Sequence, residues 1–460
     1  MRPGSSSLTE GPIARTLATF TLPILLGNAL QSLNGSVNAI WVGRFLGPAA
    51  LTATSNANSV LFLLLGGAFG VSMAATILVA QHVGGGRLGE ARRVVGASAA
   101  FFGAVAVALG LVGALAAEPL LASMRTPADA LPYARAYLRL IFAALPFLYL
   151  YTYVMAVLRG AGDSRTPFRF LLLSVGLDIV LNPLLIFGAG PVPGLGIAGS
   201  ALATLIANAV SFVALIAFLY RTRNPLCLRG ADLALVRFDG AIIGTLLRKG
   251  LPMGLQMVLI SANGVAMITL VNRYGSATTA AYGAAWQLWN YVQMPAFALG
   301  AAVSAMAAQN VGAGRWDRVA RIARTGVAFS GAVTGAVVAL ITLADGPLLQ
   351  LFLAPGPALD IARHVNVVAA PSWVFFGISM VLFGVVRSTG AVVPPLVVLT
   401  LALWGVRLPF ATLLMPRFGA DAVWWSFPLA SLVAAGLAAA YYRFGGWRRA
   451  RMLAASAASR

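Results

Sequence analysis

Long apolar runs separated by short polar turns set the pattern of this 460-residue chain. A bilayer core of ~30 Å needs about 20 apolar residues at ~1.5 Å rise each. Runs of that length fall near residues 17–43, 51–80, 94–117, 131–158, 168–188 and 197–220. Six more follow near 243–272, 277–308, 323–344, 362–386, 392–415 and 420–442. The pattern predicts an all-α membrane protein with twelve transmembrane helices, and an even number of spans brings both termini to one side. A polar stretch, Arg221–Gly250, parts six runs from six, so residues 1–220 are expected to form one six-helix lobe. Residues 221–250 then form a linker, and 251–460 a second six-helix lobe with a polar tail. Within the linker, Phe238–Lys249 reads either as a short amphipathic helix on the membrane surface or as an ordinary connecting loop.

The halves repeat each other. A shift of 229 lays Leu22-Pro23 on Leu251-Pro252, Asn34-Gly35 on Asn263-Gly264 and Arg44 on Arg273. A shift of 228 lays Gln81-His82-Val83-Gly84 on Gln309-Asn310-Val311-Gly312, and Arg159 on Arg387. Polar loop positions match in register along with the apolar ones. Because six spans separate the copies, the lobes share orientation, a parallel repeat about an axis along the membrane normal. Such halves imply a central cleft and alternating access.

Composition narrows the class. The chain is 60% hydrophobic and 10% charged, with a mean hydropathy of +0.87, so it is a membrane protein throughout. The net charge of +20 suits nucleic acid, but the basic residues stand singly between apolar runs and form no stripe with interleaved aromatics. Most of the 32 Lys and Arg fall in the termini, the linker and the loops on the same side. By the positive-inside rule this predicts a multi-pass plasma (inner) membrane protein with both termini cytoplasmic. The first apolar run is longer than the core of a secretory signal and is expected to be retained. A single cysteine, Cys227, leaves no internal disulfide and no thiolate metal site. No phosphate-binding loop, Ser/His/Asp set or HExxH motif occurs, which argues against an enzyme or an ATP-driven pump. His82 and His364 stand without other metal-ligating side chains nearby in sequence, so neither metal nor organic cofactor is expected.

One run carries chemistry at its middle. Phe168–Phe187, FRFLLLSVGLDIVLNPLLIF, places Asp178 about ten residues from either end, beyond reach of water by snorkelling. Asn182 follows at i+4 on the same helical face. Pro183 cannot donate its i→i−4 bond, which frees a carbonyl beside the pair. Holding a bare carboxylate there costs ~2.5–3.5 kcal/mol on insertion scales. Such a group is suited to binding and releasing a cation as water reaches it from alternate sides. The alternative is a protonated acid serving as interhelical glue. A second intramembrane charge, Arg407 in VLTLALWGVRLPFATLL, lies near the repeat counterpart of Asp178. It reads either as a polar site of the second lobe, repelling cations or holding an anion, or as a side chain on carbonyls freed by Pro409. Trp286, beside Gln287 and Asn290, is a candidate stacking surface for an aromatic compound, whereas Trp424 and Trp425 read as packing.

The chain resembles the multidrug and toxic compound extrusion (MATE) family. The motifs that carry the resemblance are LPILLGNALQSLNGSVNAIWVGRFLG (22–47), QHVGGGRLGEARR (81–93), VLRGAGDSRTP (157–167) and LDIVLNPLLIFG (177–188). Their second-half echoes are QNVGAGRWDRVAR (309–321) and VVRSTGAVVPP (385–395). The resemblance implies two six-helix lobes in a V and efflux of amphipathic, often cationic drugs, driven by H⁺ or Na⁺ antiport at an N-lobe site. Carried over by position, Pro23 matches the family's bending proline, Gln31 its polar side chain and Asn38 its helix-1 acid, here an amide. On helix 5 the family's Asn and Asp are exchanged, giving Asp178 and then Asn182-Pro183. Gln31, Asn34, Asn38, Asp178 and Asn182 are therefore the expected ion-coupling set, with Pro23 and Pro183 as conformational prolines. Tyr137 is implied to line the same chamber, and Tyr153 joins it here on the strength of its polar tip. Gln31, Asn182, Tyr137, Tyr153 and Trp286 are the candidate substrate contacts. The expected partners are small amphipathic or cationic molecules and membrane lipid, with no nucleic acid, and the expected state is a monomer. A flippase for a lipid-linked intermediate is the alternative, kept open by Arg407.

Overall fold

The computed structural model describes residues 8–124, 126–127, 130–188 and 193–452, so the polar tail beyond 452 lies outside the described residues. Most of these residues are helical with no strand among them, and a helix satisfies its backbone within one segment where no water can. Helices α1 (Ile13–Phe45), α2 (Pro48–Gly84), α3 (Leu88–Ser123), α4 (Leu131–Gly160), α5 (Arg165–Phe187) and α6 (Ile197–Arg221) make up the first half. The second holds α7 (Gly240–Val271), α8 (Ser276–Gly312), α9 (Trp316–Leu343), the short α10 (Asp345–Gln350), α11 (Pro357–Ala369) and α12 (Ser372–Arg387). It ends with α13 (Val393–Thr400), a π-helical stretch Leu401–Arg407, α14 (Leu408–Phe418) and α15 (Asp421–Phe444).

Among the described residues eleven helices are long and apolar enough to cross a membrane, or twelve when α11 and α12 are taken as one bent span. That run, expected as one helix, bends by 41° between Ala369 and Ser372. Pro371 sits at the break, where it cannot donate a helical bond. The stretch at 238–249, expected as a surface helix or a loop, is helical from Gly240 and continuous with α7. Gly240 to Lys249 form the first turns of α7, and Asp239 caps them by accepting the N–H groups of Ala241 and Ile242 at 3.1 and 3.2 Å.

The chain divides into two compact units, one formed by Leu26–Gly250 and the other by the stretch ending at Leu25 together with everything from Leu251 on. The division falls inside α1 and α7, beside Pro23 and Pro252, the two prolines that the repeat pairs. In the first unit α4 packs against α2, α3 and α6, and α5 against α6. In the second, α12 packs against α8, α9 and α15, and α14 against α15, the same pairings in the same order. Repeated loops share backbone as well as sequence. Gly86 and Gly314 both take φ of +72°, a left-handed value that disfavours any side chain.

Each unit is closed by its own contacts. The linker lies on α3 in the first unit, where Arg92 donates to Pro225 O at 2.8 Å and pairs with Asp232 at 3.2 Å. Arg93 donates Nε and Nη2 to one oxygen of Asp239 at 2.9 and 2.7 Å. In the second unit the segment before α1 is tied down by Asn310, Arg315 and Arg318. They donate to the carbonyls of Leu8, Thr9 and Glu10 at 3.0, 2.6 and 2.8 Å. Leu8 is fully buried in the core cluster that includes Val303, Met306 and Trp447.

Candidate functional site: a carboxylate ringed by amides

Asp178 stands at the middle of α5, 3% exposed, and three side chains from two other helices converge on it. Asn34 and Asn38, one turn apart on α1, donate Nδ2 to Asp178 Oδ2 at 2.9 and 3.2 Å. Thr204 on α6 donates its hydroxyl to Oδ1 at 3.0 Å. Both carboxylate oxygens are thus met by donors. Bonds to a charged acceptor in a dry interior are worth more than neutral ones.

Asn182 belongs to the site in a different way from the one its spacing suggested. Its Nδ2 donates to the backbone carbonyl of Asp178 at 3.0 Å instead of reaching the carboxylate. A short amide at i+4 meets the preceding turn's carbonyl before it meets the side chain of that turn, which itself leans on toward the N-terminus. Its Oδ1 is buried without a hydrogen-bond partner, and so is Asn34 Oδ1. Asp178 and its two amide neighbours therefore offer a carboxylate and two idle amide oxygens, a set suited to a proton or to a hard cation that prefers oxygen.

Thr204 is the member that sequence reasoning missed. It reaches Asp178 because α5 and α6 nearly touch: a Cβ on Gly199 would lie 2.2 Å from the carbonyl oxygen of Leu185. Gly199, five residues before Thr204 and flanked by the small residues Ala198, Ser200 and Ala201, was the available sign of close packing. Gln31 keeps to the same face of α1 but is exposed and takes no part in these bonds. Tyr137 is buried within electrostatic range of Asp178. Tyr153 goes elsewhere. Its hydroxyl bonds Ser98 and the Val95 carbonyl, and its ring stacks on Phe102 at 4.8 Å, so it joins α3 to α4. A second unanticipated feature is the cluster of Trp41, Phe45 and Phe187, with ring centroids 5.2–6.1 Å apart at the ends of α1 and α5.

The second unit collects the remaining candidates. Trp286 packs with Tyr282, Trp289 and Trp373, ring centroids 6.1–6.4 Å apart, and Trp289 donates to Asn366 Oδ1 at 3.1 Å. Trp424 is buried against Tyr282, as packing required, but Trp425 is 56% exposed and faces outward instead. Arg407 finds no freed carbonyl: it donates Nη1 to Asn263 Oδ1 at 3.0 Å.

The MatE family matches residues 23–184 and again residues 252–413, the second window standing 229 residues on from the first, the shift that aligns the two halves. The chain belongs to the MatE family. Relatives within it include the probable multidrug resistance protein YoeA of Bacillus subtilis, 35% identical over 94% of this chain and 93% of that protein. The probable multidrug resistance protein YpnP of the same organism is 30% identical over 96% of this chain and 98% of its own length. A solved structure of a multidrug resistance MATE family transporter in an outward-facing conformation superposes with a TM-score of 0.87. It is 21% identical and covers 96% of this chain and 98% of that one. The MatE fold thus spans nearly the whole chain. The two MatE windows open inside α1 and its counterpart α7, at Pro23 and Pro252, and the first holds all of the Asp178 set except Thr204.

Proposed function

We propose that the chain is a secondary transporter that exports amphipathic, often cationic compounds by antiport against inward H⁺ or Na⁺. It would act as a monomer in the plasma (inner) membrane with both termini cytoplasmic. The observation that carries the reading is Asp178, buried at the middle of a span and ringed by Asn34, Asn38 and Thr204, with two amide oxygens beside it left idle. The names of the MatE relatives, which describe multidrug resistance proteins, support the export half of the proposal.

The residues indicate how the cycle would run. With the carboxylate charged, Asn34 and Asn38 hold α1 to α5 through Oδ2. A cation that joins Asp178 competes for the same oxygen and offers the idle oxygens of Asn34 and Asn182 a partner. The bonds across α1 and α5 then rearrange, and Pro23, which interrupts the hydrogen-bond ladder of α1, gives that helix a place to bend. Cargo and coupling ion would favour opposite access states, each shifting the balance only by its difference in affinity for the two. Tyr137 and the Trp41, Phe45 and Phe187 cluster supply apolar surface for the cargo near this set.

Uptake of a cationic dye into inside-out proteoliposomes, driven by an imposed pH or Na⁺ gradient, tests the proposal. Asp178→Asn is the informative variant, since its amide oxygen can accept from Asn34 and Asn38 while its NH₂ donates to the Thr204 hydroxyl. The fold is expected to survive and gradient-driven uptake to vanish. A folded Asp178→Asn protein that still couples dye uptake to the gradient would overturn the assignment of Asp178. Absence of uptake by the unaltered protein under both gradients would overturn the exporter reading.

A further inference from the structure

The repeat leads to a second site. A shift of 229 carries Asn34 to Asn263 and Asp178 to Arg407. The structure pairs the second couple as it pairs the first: Arg407 Nη1 to Asn263 Oδ1 is 3.0 Å, and Asn34 Nδ2 to Asp178 Oδ2 is 2.9 Å. Asn263 also donates Nδ2 to Leu403 O at 2.9 Å, which turns its oxygen toward the guanidinium. The geometry is retained and the charge is inverted.

Arg407 closes the π-helical stretch Leu401–Arg407, a widened turn of the kind that often accompanies functional sites. Its guanidinium lies over the ring of Phe427, 3.3 Å from the centroid, so one face is covered by an aromatic. The Nη1 side is satisfied by Asn263. Nε and Nη2 are buried and have no acceptor. Those two nitrogens share one edge of the guanidinium and present parallel N–H donors, the fork that fits a carboxylate; Arg93 uses the same edge on Asp239. The hydroxyl of Tyr282 is also buried without a partner, within electrostatic reach of Arg407. Of the unit's acids, Asp317 pairs with Arg321, Asp345 with Arg363 and Asp421 with His364. No described ion pair reaches Arg407. A buried cation left without a counter-charge is strongly unfavourable. Tyr282 itself stands in an aromatic cluster, its ring centroid 6.0 Å from Trp424, 6.1 Å from Trp286 and 6.3 Å from Phe427.

We propose that Arg407 and Tyr282 bind the carboxylate of an aromatic, amphipathic substrate. The first unit then holds the exchangeable cation, and the second recognises the anionic end of the cargo. The substrate class rests on the exporter reading above, whereas the site itself does not. A lipid phosphodiester would offer similar oxygens but no aromatic body to meet the Trp286 and Trp424 rings.

The test is isothermal titration of the full-length protein in detergent with 2-naphthoate and with its neutral isostere 2-naphthamide. A charged fork in a dry site predicts naphthoate binding about tenfold tighter or more. Arg407→Gln is expected to bring the two ligands within about twofold of each other, the guanidinium charge being gone. Tyr282→Phe, which keeps the guanidinium and the ring, is expected to weaken naphthoate about three- to tenfold with naphthamide unchanged, and keeps the test open if Arg407→Gln does not fold. Equal affinities in the unaltered protein, or a preference that survives Arg407→Gln, would overturn the proposal. Displacement of naphthoate by equimolar dioleoylphosphatidylglycerol but not by the phosphatidylcholine analogue would reassign the site to a lipid headgroup and overturn the carboxylate assignment. Dye transport run on the same preparation separates the two proposals. Coupled dye uptake without a naphthoate preference sinks this one alone, and an Arg407-dependent preference without dye uptake sinks only the exporter reading.

Discussion

Thr204→Val isolates the contact that ties α6 to the coupling carboxylate. Valine matches threonine in shape and removes only the hydroxyl that donates to Asp178 Oδ1 at 3.0 Å. A hydrogen bond to a charged group contributes about 1.5–3 kcal/mol in soluble proteins. Interhelical bonds measured inside membranes average nearer ~0.6 kcal/mol, with a maximum of ~1.7, because the unfolded chain also finds partners in the bilayer. Asp178 is 3% exposed and its other oxygen already serves Asn34 and Asn38, so Oδ1 has few substitutes for Thr204. The expected cost is therefore at the upper end of the membrane range, about 1–2 kcal/mol. The assay is a double-mutant cycle by equilibrium unfolding in mixed micelles, comparing Thr204→Val in the unaltered protein and in Asp178→Asn. In the second background the bond is neutral and the hydroxyl can reverse its role, so the cost should fall by about 1 kcal/mol. A coupling below about 0.5 kcal/mol would refute the claim that Thr204 serves the charge on Asp178.

Two further outcomes follow from the packing and the linker. Gly199→Ala should destabilise the protein by about 1–3 kcal/mol, because its Cβ would fall 2.2 Å from the rigid carbonyl oxygen of Leu185. Gly176→Ala on α5, whose Cβ would meet nothing within 4 Å, is the control and should be neutral or mildly stabilising; equal effects on thermal midpoints would sink the reasoning. The linker should loosen in acid. Burial pushes the Asp239 carboxyl up, but the Arg93 guanidinium and the N–H groups of Ile242 and Ala241 outweigh it and hold the carboxyl below its ordinary value. A carboxyl depressed by folding contributes in full above its unfolded value, about 4, and loses that contribution as pH falls through the lower folded one. Arg93→Ala should accordingly cost about 1 kcal/mol near neutrality and progressively less as pH falls below about 4, and a cost independent of pH would contradict the pairing.

Much of the architecture could be read before any tertiary contact was known. Span length and polarity decide which segments leave water, so the twelve apolar runs, the repeat and the membrane class were legible. Asn34, Asn38 and Asp178 were legible too, because polar groups in the middle of apolar runs are costly and must find one another. Partners that rest on how helix faces meet were not. Thr204 is one of several hydroxyls in an apolar helix, distinguished only once Gly199 lets α6 lie against α5. Asn182 and Tyr153 had the right polarity, but local back-bonding took the first to the Asp178 carbonyl and packing took the second to Ser98 and Val95. The bend at Pro371 and the continuation of α7 back to Gly240 depend on which neighbours satisfy the backbone there. The charge-inverted couple is the plainest case. Sequence spacing alone set Asn263 and Arg407 at the interval of Asn34 and Asp178, but only the folded helices brought them to 3.0 Å and left one edge of the guanidinium open. Hydropathy is a property of each segment by itself, whereas a hydrogen bond between helices depends on the relative rotation and closeness of two of them.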